Sequence, residues 1–204
     1  MEVDRALVLG LIEACREIIA RHADHLSELD RAIGDGDHGT NMRRGCEAVY
    51  ADRETLAGLP FPQAVERMGM TLVMSIGGAA GPLYGTLLLE IGRNLAAGDG
   101  AVSFGDALGP AVEAVARRSR AKEGEKTLLD VLYPVRAEVV RRTALPDIAD
   151  RADASAQRTI AMKAMRGRAS FLGDRSIGHM DPGAFSCALL TTAICRHLME
   201  YRPA

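Results

Sequence analysis

The chain has 204 residues, a formal net charge of −2, no tryptophan and only 4% aromatic side chains. Its length suits one domain, taken as residues 1–204, with room for a substantial core. The balanced charge and the lack of a basic stripe argue against nucleic-acid and membrane-surface partners. There is no leader pattern, no long apolar run and no metal-type spacing among the cysteines. The sequence therefore predicts a cytoplasmic protein with reduced thiols.

Apolar residues recur at helical spacing along the chain, and no segment has a convincing strand pattern. The sequence predicts an all-α, single-domain bundle of about eight helices, several of them amphipathic. In chain order the predicted helices cover residues 2–26, 40–56, 64–76, 83–97, 105–118, 127–143, 147–165 and 181–201. Ser103 and Asp147 are predicted N-caps. Pro110 and Pro134 predict kinks or early ends of the helices that contain them.

The connection after the first helix is acidic. Asp30 closes that helix, and Asp35 and Asp37 lie in a turn whose glycines let all three carboxylates point at one place. Mg²⁺ prefers oxygen ligands and is typically held by a few carboxylates and substrate phosphates. Three carboxylates this close repel one another unless a cation is bound. A metal site therefore explains the run better than a solvated acidic turn with a helix cap does.

The next helix begins beside this acidic run, and the free N–H groups and dipole of a helix start favour an anion. The residues at this start are His38, Gly39, Thr40 and Asn41. Metal ligands next to an anion-binding helix start suit a metal–phosphate complex. His38 alone indicates a phosphate contact or an ordinary loop hydrogen bond about equally.

Two further loops interrupt the helical pattern. Residues 75–86 are glycine-rich and enter a helix, so their amides can surround phosphate or their glycines can simply allow close helix packing. The lysine and hydroxyl of a P-loop are missing there. In residues 124–130, Lys126 is interpreted as a solvated side chain rather than a phosphate ligand. Asp130 is either an indirect acceptor at a site or a surface residue.

A fourth loop spans residues 166–183. Arg168 and Arg175 suit phosphate because guanidinium groups match phosphate oxygens, although both can be surface arginines. His179 is a ligand, a base or a structural hydrogen bonder. Residues 181–183 combine a helix cap with free N–H groups. Alternate connections of an up-and-down bundle share an end, so the four loops can converge. Together they indicate phosphoryl transfer or nucleotide binding.

These four motifs resemble the nucleotide-binding L subunit of dihydroxyacetone kinases, which is equivalent to the C-terminal domain of the single-chain forms. The matching runs are 29–42, 77–83, 126–127 and 167–183, so the resemblance covers nearly the whole chain. It implies a barrel of eight antiparallel amphipathic helices, with ADP or ATP and two Mg²⁺ bound in loops at one end.

The resemblance also implies roles for individual residues. Asp30, Asp35 and Asp37 are the expected Mg²⁺ ligands and, with Arg168, the expected catalytic groups. The expected nucleotide contacts are His38, Gly39, Thr40, Asn41, Ala79, Ala80, Ser119, Leu128, Arg168, Asp181, Pro182 and Gly183. Two positions depart from the family pattern. Ala80 replaces a serine, which removes a hydroxyl contact with phosphate, and Ser119 replaces a glycine.

The implied activity is that of a phosphotransferase. This chain would carry the phosphoryl donor, and a separate K subunit would hold the ketose, most simply dihydroxyacetone. Recharging would use free exchange of ATP or a phosphohistidine protein of the sugar phosphotransferase system, and the sequence leaves both open. The alternatives are a nucleotide-state sensor that binds a transcription regulator, a kinase subunit for a tetrulose, and a helical metal-binding scaffold.

Overall fold

The structure is a computed structural model that describes residues 3–97 and 102–202. These residues form helices and no strand, which confirms the predicted all-α fold. The α-helices are α1 (Arg5–Ile33), α2 (His38–Ala51), α3 (Arg53–Leu56), α4 (Phe61–Ser75), α5 (Ala80–Ala96), α6 (Phe104–Ser119), α7 (Leu129–Val140), α8 (Leu145–Arg158) and α9 (Pro182–Glu200). Two 3₁₀ helices, Thr159–Ala161 and Arg168–Ser176, lie between α8 and α9.

The long helices form a closed ring around one core. Each packs against the next along the chain, apart from the single turn α3, and α9 packs back against α1. Their apolar faces meet inside the ring, where Ile19, Leu26, Val112 and Leu129 are completely or almost completely buried. Because successive long helices are antiparallel, the connections α1–α2, α4–α5, α6–α7 and α8–α9 lie at the same end of the barrel.

Glycines allow close contact between α4 and α5. A Cβ atom at Gly69 would lie 2.9 Å from the carbonyl oxygen of Gly85, and one at Gly85 would lie 2.9 Å from that of Gly69. A Cβ atom at Gly81 would lie 2.3 Å from the carbonyl oxygen of Ile76. The packing explanation of the glycine-rich segment 75–86 therefore holds for Gly81 and Gly85, while Gly77 and Gly78 line a cavity.

Several predicted boundaries need correction. Residue 2, the predicted start of the first helix, lies outside the described residues. The helix itself continues to Ile33, so Asp30 lies in its last turn. The predicted helix 40–56 is broken at Asp52, whose carboxylate pairs with Arg67 of α4 at 2.7 Å. Ser103 is confirmed as an N-cap and accepts the N–H of Asp106.

The seventh predicted helix, 147–165, is displaced. α8 begins at Leu145 with Pro146 in its first turn, where the missing N–H of proline costs nothing. The prediction of Asp147 as its N-cap is therefore wrong. The helix also ends at Arg158 instead of reaching residue 165, because the chain tightens into a 3₁₀ turn there. Neither Pro110 nor Pro134 ends its helix.

None of the described helices is long and apolar enough to cross a membrane. All four cysteines are free.

Candidate functional site

A cavity of about 480 Å³ opens at the end of the barrel where the four motif loops meet. Residues from all four loops form its wall. Its volume lies in the range of small-molecule binding sites. The chain thus brings together the segments that the sequence singled out separately.

The acidic cluster lies at one side of this cavity. One carboxylate oxygen from each of Asp30, Asp35 and Asp37 lies within 4.8 Å of the others. Asp30 is only 9% exposed, and its Oδ2 accepts the backbone N–H groups of Asp37 at 2.9 Å and His38 at 3.1 Å. The last turn of α1 therefore caps the start of α2 and fixes the cluster. Three converging carboxylates match the oxygen ligands of a hard divalent cation such as Mg²⁺.

Arg168 reaches the same cluster from the start of the second 3₁₀ helix. Its Nη1 lies 2.8 Å from Oδ2 of Asp35, and its side chain is 70% exposed. It follows Gly167, which adopts a φ of +63°, a left-handed conformation that favours glycine. Arg175 is exposed and does not line the cavity. Of the two arginines that the sequence offered for phosphate, only Arg168 lines the cavity.

His38 belongs to a buried hydrogen-bond chain below the cavity. Its Nε2 lies 2.9 Å from Oγ of Ser186, and the hydroxyl of Tyr84 lies 2.7 Å from the same oxygen. The Ser186 hydroxyl also donates to the carbonyl of Gly183 at 3.0 Å. Burial lowers the pKa of His38, although nearby carboxylates act in the opposite direction. These hydrogen bonds connect the starts of α2, α5 and α9. His38 also lines the cavity.

The loop before α7 is held by buried charges. Asp130 is 1% exposed, and its carboxylate accepts the N–H groups of Gly124 at 2.6 Å and Thr127 at 2.7 Å. The carboxylate therefore shapes the loop from inside. Lys126 is also 1% exposed, so its interpretation as a solvated side chain is wrong.

Asp181 begins the last helix as its N-cap. Its Oδ2 accepts the N–H of Ala184 at 2.7 Å. Burial raises the pKa of Asp181 to about 7, and the hydrogen bond from Ala184 acts in the opposite direction. Asp181, Pro182 and Gly183 all line the cavity. The N–H of Gly183 at the start of α9 therefore borders the same space as the acidic cluster.

The model of the DAK2 domain family matches residues 32–196 of the chain. The chain belongs to the DAK2 domain family. The ADP-binding subunit DhaL of PEP-dependent dihydroxyacetone kinase 1 from Listeria innocua is 38% identical, over 95% of this chain and 97% of the relative. The ADP-binding subunit DhaL of the PEP-dependent dihydroxyacetone kinase from Escherichia coli K12 is 36% identical, over 91% and 93%. These relatives confirm the resemblance to the L subunits of dihydroxyacetone kinases.

A solved structure shares the fold of this DAK2 domain. The dihydroxyacetone kinase from C. freundii in complex with AMP-PNP and Mg²⁺ superposes with a TM-score of 0.78 at 25% identity. The match covers 96% of this chain and 34% of that chain, so the chain spans about a third of that kinase. The similarity supports the predicted barrel of antiparallel helices.

Most of the predicted nucleotide contacts of this DAK2 domain lie around the cavity. Those that line it are His38, Asn41, Ala79, Ala80, Ser119, Leu128, Arg168, Asp181, Pro182 and Gly183. Gly39 and Thr40 do not. The hydroxyl of Ser119 donates to the carbonyl of Val115 at 2.8 Å, within its own helix. The serine that replaces the family glycine therefore has a partner within α6.

Three large residues in the cavity wall were not singled out from the sequence. Arg118 and Arg166 each adjoin a residue that was, namely Ser119 and Gly167. Tyr84 has the apolar spacing of a core residue, and it is indeed only 5% exposed. Its hydroxyl lies within hydrogen-bond distance of Ser186 and Gly183, and the sequence gives no sign of these contacts.

Gly39 was predicted as a nucleotide contact, but in the structure it allows α2 to pack closely against α1. A Cβ atom there would lie 1.8 Å from the carbonyl oxygen of Ala23 and 2.7 Å from Oγ of Ser27.

We expect Gly39→Ala to lower the free energy of unfolding in urea by roughly 2 kcal/mol or more, because α2 must move away from α1. At Gly105 a Cβ atom would meet nothing closer than 3.6 Å. Gly105→Ala is the control and should be neutral or stabilising by up to about 1 kcal/mol. Equal stabilities for the two variants would contradict this role.

Proposed function

We propose that the chain is the ADP- or ATP-binding, phosphoryl-donor subunit of a kinase for dihydroxyacetone or a related small ketose. One observation carries the proposal. Three carboxylates, the starts of α2, α5 and α9, and Arg168 all border one cavity. The similar proteins from Listeria innocua and Escherichia coli are named as ADP-binding subunits of such kinases.

The helix starts would bind the diphosphate. The free N–H groups and dipoles of helix starts attract anions, and α5 begins at Ala80, so a backbone amide remains where the family serine hydroxyl is lost. The base would lie against Leu128, which is 5% exposed and lines the cavity. The carboxylate of Asp181 would border the nucleotide at the start of α9.

Bound Mg²⁺, two ions in our proposal, would neutralise charge on the phosphate oxygens. Asp30, Asp35 and Asp37 would hold these ions. The guanidinium group of Arg168, already beside Asp35, would donate hydrogen bonds to the group in transfer. Such a reaction depends on positioning and electrostatics, so the chain needs no nucleophile of its own.

The ketose would be held by a separate K subunit that covers this end of the barrel. Phe171 is 88% exposed and Met74 is 83% exposed. Phe171 lies in the 3₁₀ helix that begins at Arg168, and Met74 lies in the last turn of α4, next to the glycine-rich entry of α5. Exposed large apolar side chains beside a site are typical of a surface that meets a partner. A phosphohistidine protein would use the same end to recharge the nucleotide.

The docking surface gives a prediction. We expect Phe171→Ser to weaken binding of the K subunit by about 10-fold or more, because an aromatic anchor would be lost from the interface. Nucleotide affinity should remain within about 2-fold, since Phe171 does not line the cavity. Calorimetry with purified K subunit measures the affinity for that subunit, and titration with ADP measures the affinity for nucleotide. Phe104→Ser is the control, because Phe104 is 48% exposed but begins α6 at the other end of the barrel. Equal binding by both variants would contradict this docking surface.

A reconstituted reaction tests the proposed function. The chain is mixed with a K subunit, dihydroxyacetone and either ATP or a phosphoenolpyruvate-driven phosphotransferase mixture, and triose phosphate is measured by coupled oxidation of NADH. We expect product only when both subunits and one donor are present. No product with any donor would overturn the proposal. L-Erythrulose as a parallel substrate distinguishes the tetrulose alternative. Retention of ADP through dialysis would indicate recharging on the protein.

A further inference from the structure

Lys126 is a fully buried cation that the proposed reaction does not use. Its Nζ lies close to four backbone carbonyl oxygens, those of Thr159 at 2.9 Å, Met162 at 3.0 Å, Ser176 at 2.7 Å and His179 at 2.5 Å. An ammonium group has three protons. Four carbonyls at these distances occupy all of them, so Lys126 has no donor left for a phosphate although it lines the cavity.

Three of the four carbonyls come from places where helices end, and the fourth, that of His179, lies in the loop before α9. Those of Thr159 and Met162 belong to the 3₁₀ turn that follows α8, and that of Ser176 belongs to the last residue of the second 3₁₀ helix. Carbonyls at helix ends carry partial negative charge, and that of Thr159 also accepts the N–H of Met162 at 3.1 Å. They stabilise the buried ammonium group without a carboxylate at contact distance. Burial itself lowers the pKa of Lys126, and the charge of Asp181 acts in the opposite direction.

Residues 159–181 carry one wall of the cavity, to which they contribute residues 166–169 and Asp181. Lys126 holds this segment at both of its ends. The wall carries Arg168 in its middle and Asp181 at its end. The neighbouring residue Glu125 adds two contacts, since its carboxylate accepts Nε of Arg166 at 2.9 Å and its carbonyl accepts the N–H of Met165 at 3.2 Å. The opposite wall follows directly in the chain, because Leu128 is two residues beyond Lys126.

We propose that Lys126 is a positioning residue that fixes the wall 159–181 against the loop 124–128. Through it the distance between the guanidinium group of Arg168 and the apolar surface of Leu128 is set. The effect on nucleotide binding rests on the proposed function, whereas the effect on the wall does not.

The test compares Lys126→Met with Lys163→Met. Methionine keeps the length of the side chain and removes the charge and the donors. Lys163 lies in the same wall, is 49% exposed and pairs with Asp174 at 2.8 Å, so it is a matched surface control. In hydrogen exchange without nucleotide, we expect Lys126→Met to speed exchange across residues 159–181 by at least about 10-fold while α1 keeps its protection. Lys163→Met should exchange as the unaltered chain does.

Calorimetry with ADP and Mg²⁺ supplies the second measurement. We expect Lys126→Met to raise the Kd for ADP by about 10-fold or more, and Lys126→Arg, which keeps the charge and the donors, to recover part of the loss. If Lys126→Met fails to fold, Lys126→Arg and Lys126→Gln are compared in the same two measurements, and the wall should loosen more in Lys126→Gln. Unchanged exchange in the wall, or equal loosening of every helix, would overturn the positioning role. A loosened wall in a chain that binds no ADP even when unaltered would instead overturn the proposed function.

Discussion

Replacing Asp37 with asparagine is expected to make the metal-free protein slightly more stable and to weaken Mg²⁺-dependent nucleotide binding strongly. Carboxylate oxygens of Asp30, Asp35 and Asp37 lie within 4.8 Å of one another, and like charges at this distance repel by about 1 kcal/mol at high dielectric. Removing one charge should raise the melting temperature by about 2–4 °C in a chain of this size. Asp37 suits this test because its side chain makes no capping bond to α2.

When Mg²⁺ and ADP are present, we expect Asp37→Asn to have a lower melting temperature than the unaltered chain. ADP with Mg²⁺ should raise the melting temperature of the unaltered chain, because a ligand that binds only the folded state stabilises it. In Asp37→Asn we expect the affinity for Mg²⁺–ADP to fall on the order of 100-fold, the size of losing one charged contact in a site. Thermal melts with and without ligand measure both effects.

Asp24→Asn is the matched control for this prediction. Asp24 lies on α1, as Asp30 does, and is exposed, but it is not part of the acidic cluster. Its replacement should change neither the melting temperature of the metal-free protein nor the response to Mg²⁺–ADP. If Asp37→Asn destabilised the metal-free protein, or kept its Mg²⁺-dependent binding, the assignment of the cluster as a metal site would be contradicted.

The acidic cluster was predictable because its geometry is local. Asp30, Asp35 and Asp37 lie within eight residues of one another, so a single tight turn brings them together. The all-α barrel was predictable for a similar reason, because each helix has its own apolar period. The alternation of chain direction then brings the four loops to one end without any further information.

Lys126 could not be placed from the sequence because its surroundings are distant in the chain. Gly124 and Glu125 before it have the pattern of a solvated turn. Its carbonyl partners follow 33 to 53 residues later. Every residue has a backbone carbonyl, so the residue types at these positions do not indicate the contact. Gly39 presents the same problem, since only the position of Ala23 on α1 explains why no side chain fits there.

Replacing Arg168 with alanine is expected to slow phosphoryl transfer by roughly 10²–10³-fold and to change the Kd for ADP less than about 10-fold. A donor aimed at charge that develops in the transition state contributes this much to the rate. The diphosphate itself would remain on the three helix starts. Stability should change by about 1 kcal/mol or less, because the pair of Arg168 with Asp35 is exposed. Single-turnover transfer at saturating K subunit and dihydroxyacetone measures the rate, and calorimetry measures the Kd.

Two further variants separate charge, geometry and position for this arginine. Arg168→Lys keeps the charge but not the planar fork, so its rate should lie between those of the unaltered chain and Arg168→Ala. Arg175→Ala removes an exposed arginine seven residues further along the same loop, outside the cavity wall, and should leave both rate and Kd unchanged. A loss in Arg175→Ala as large as that in Arg168→Ala would mean that the loop acts through its overall charge. In that case the contact beside Asp35 would not be the source of the rate effect.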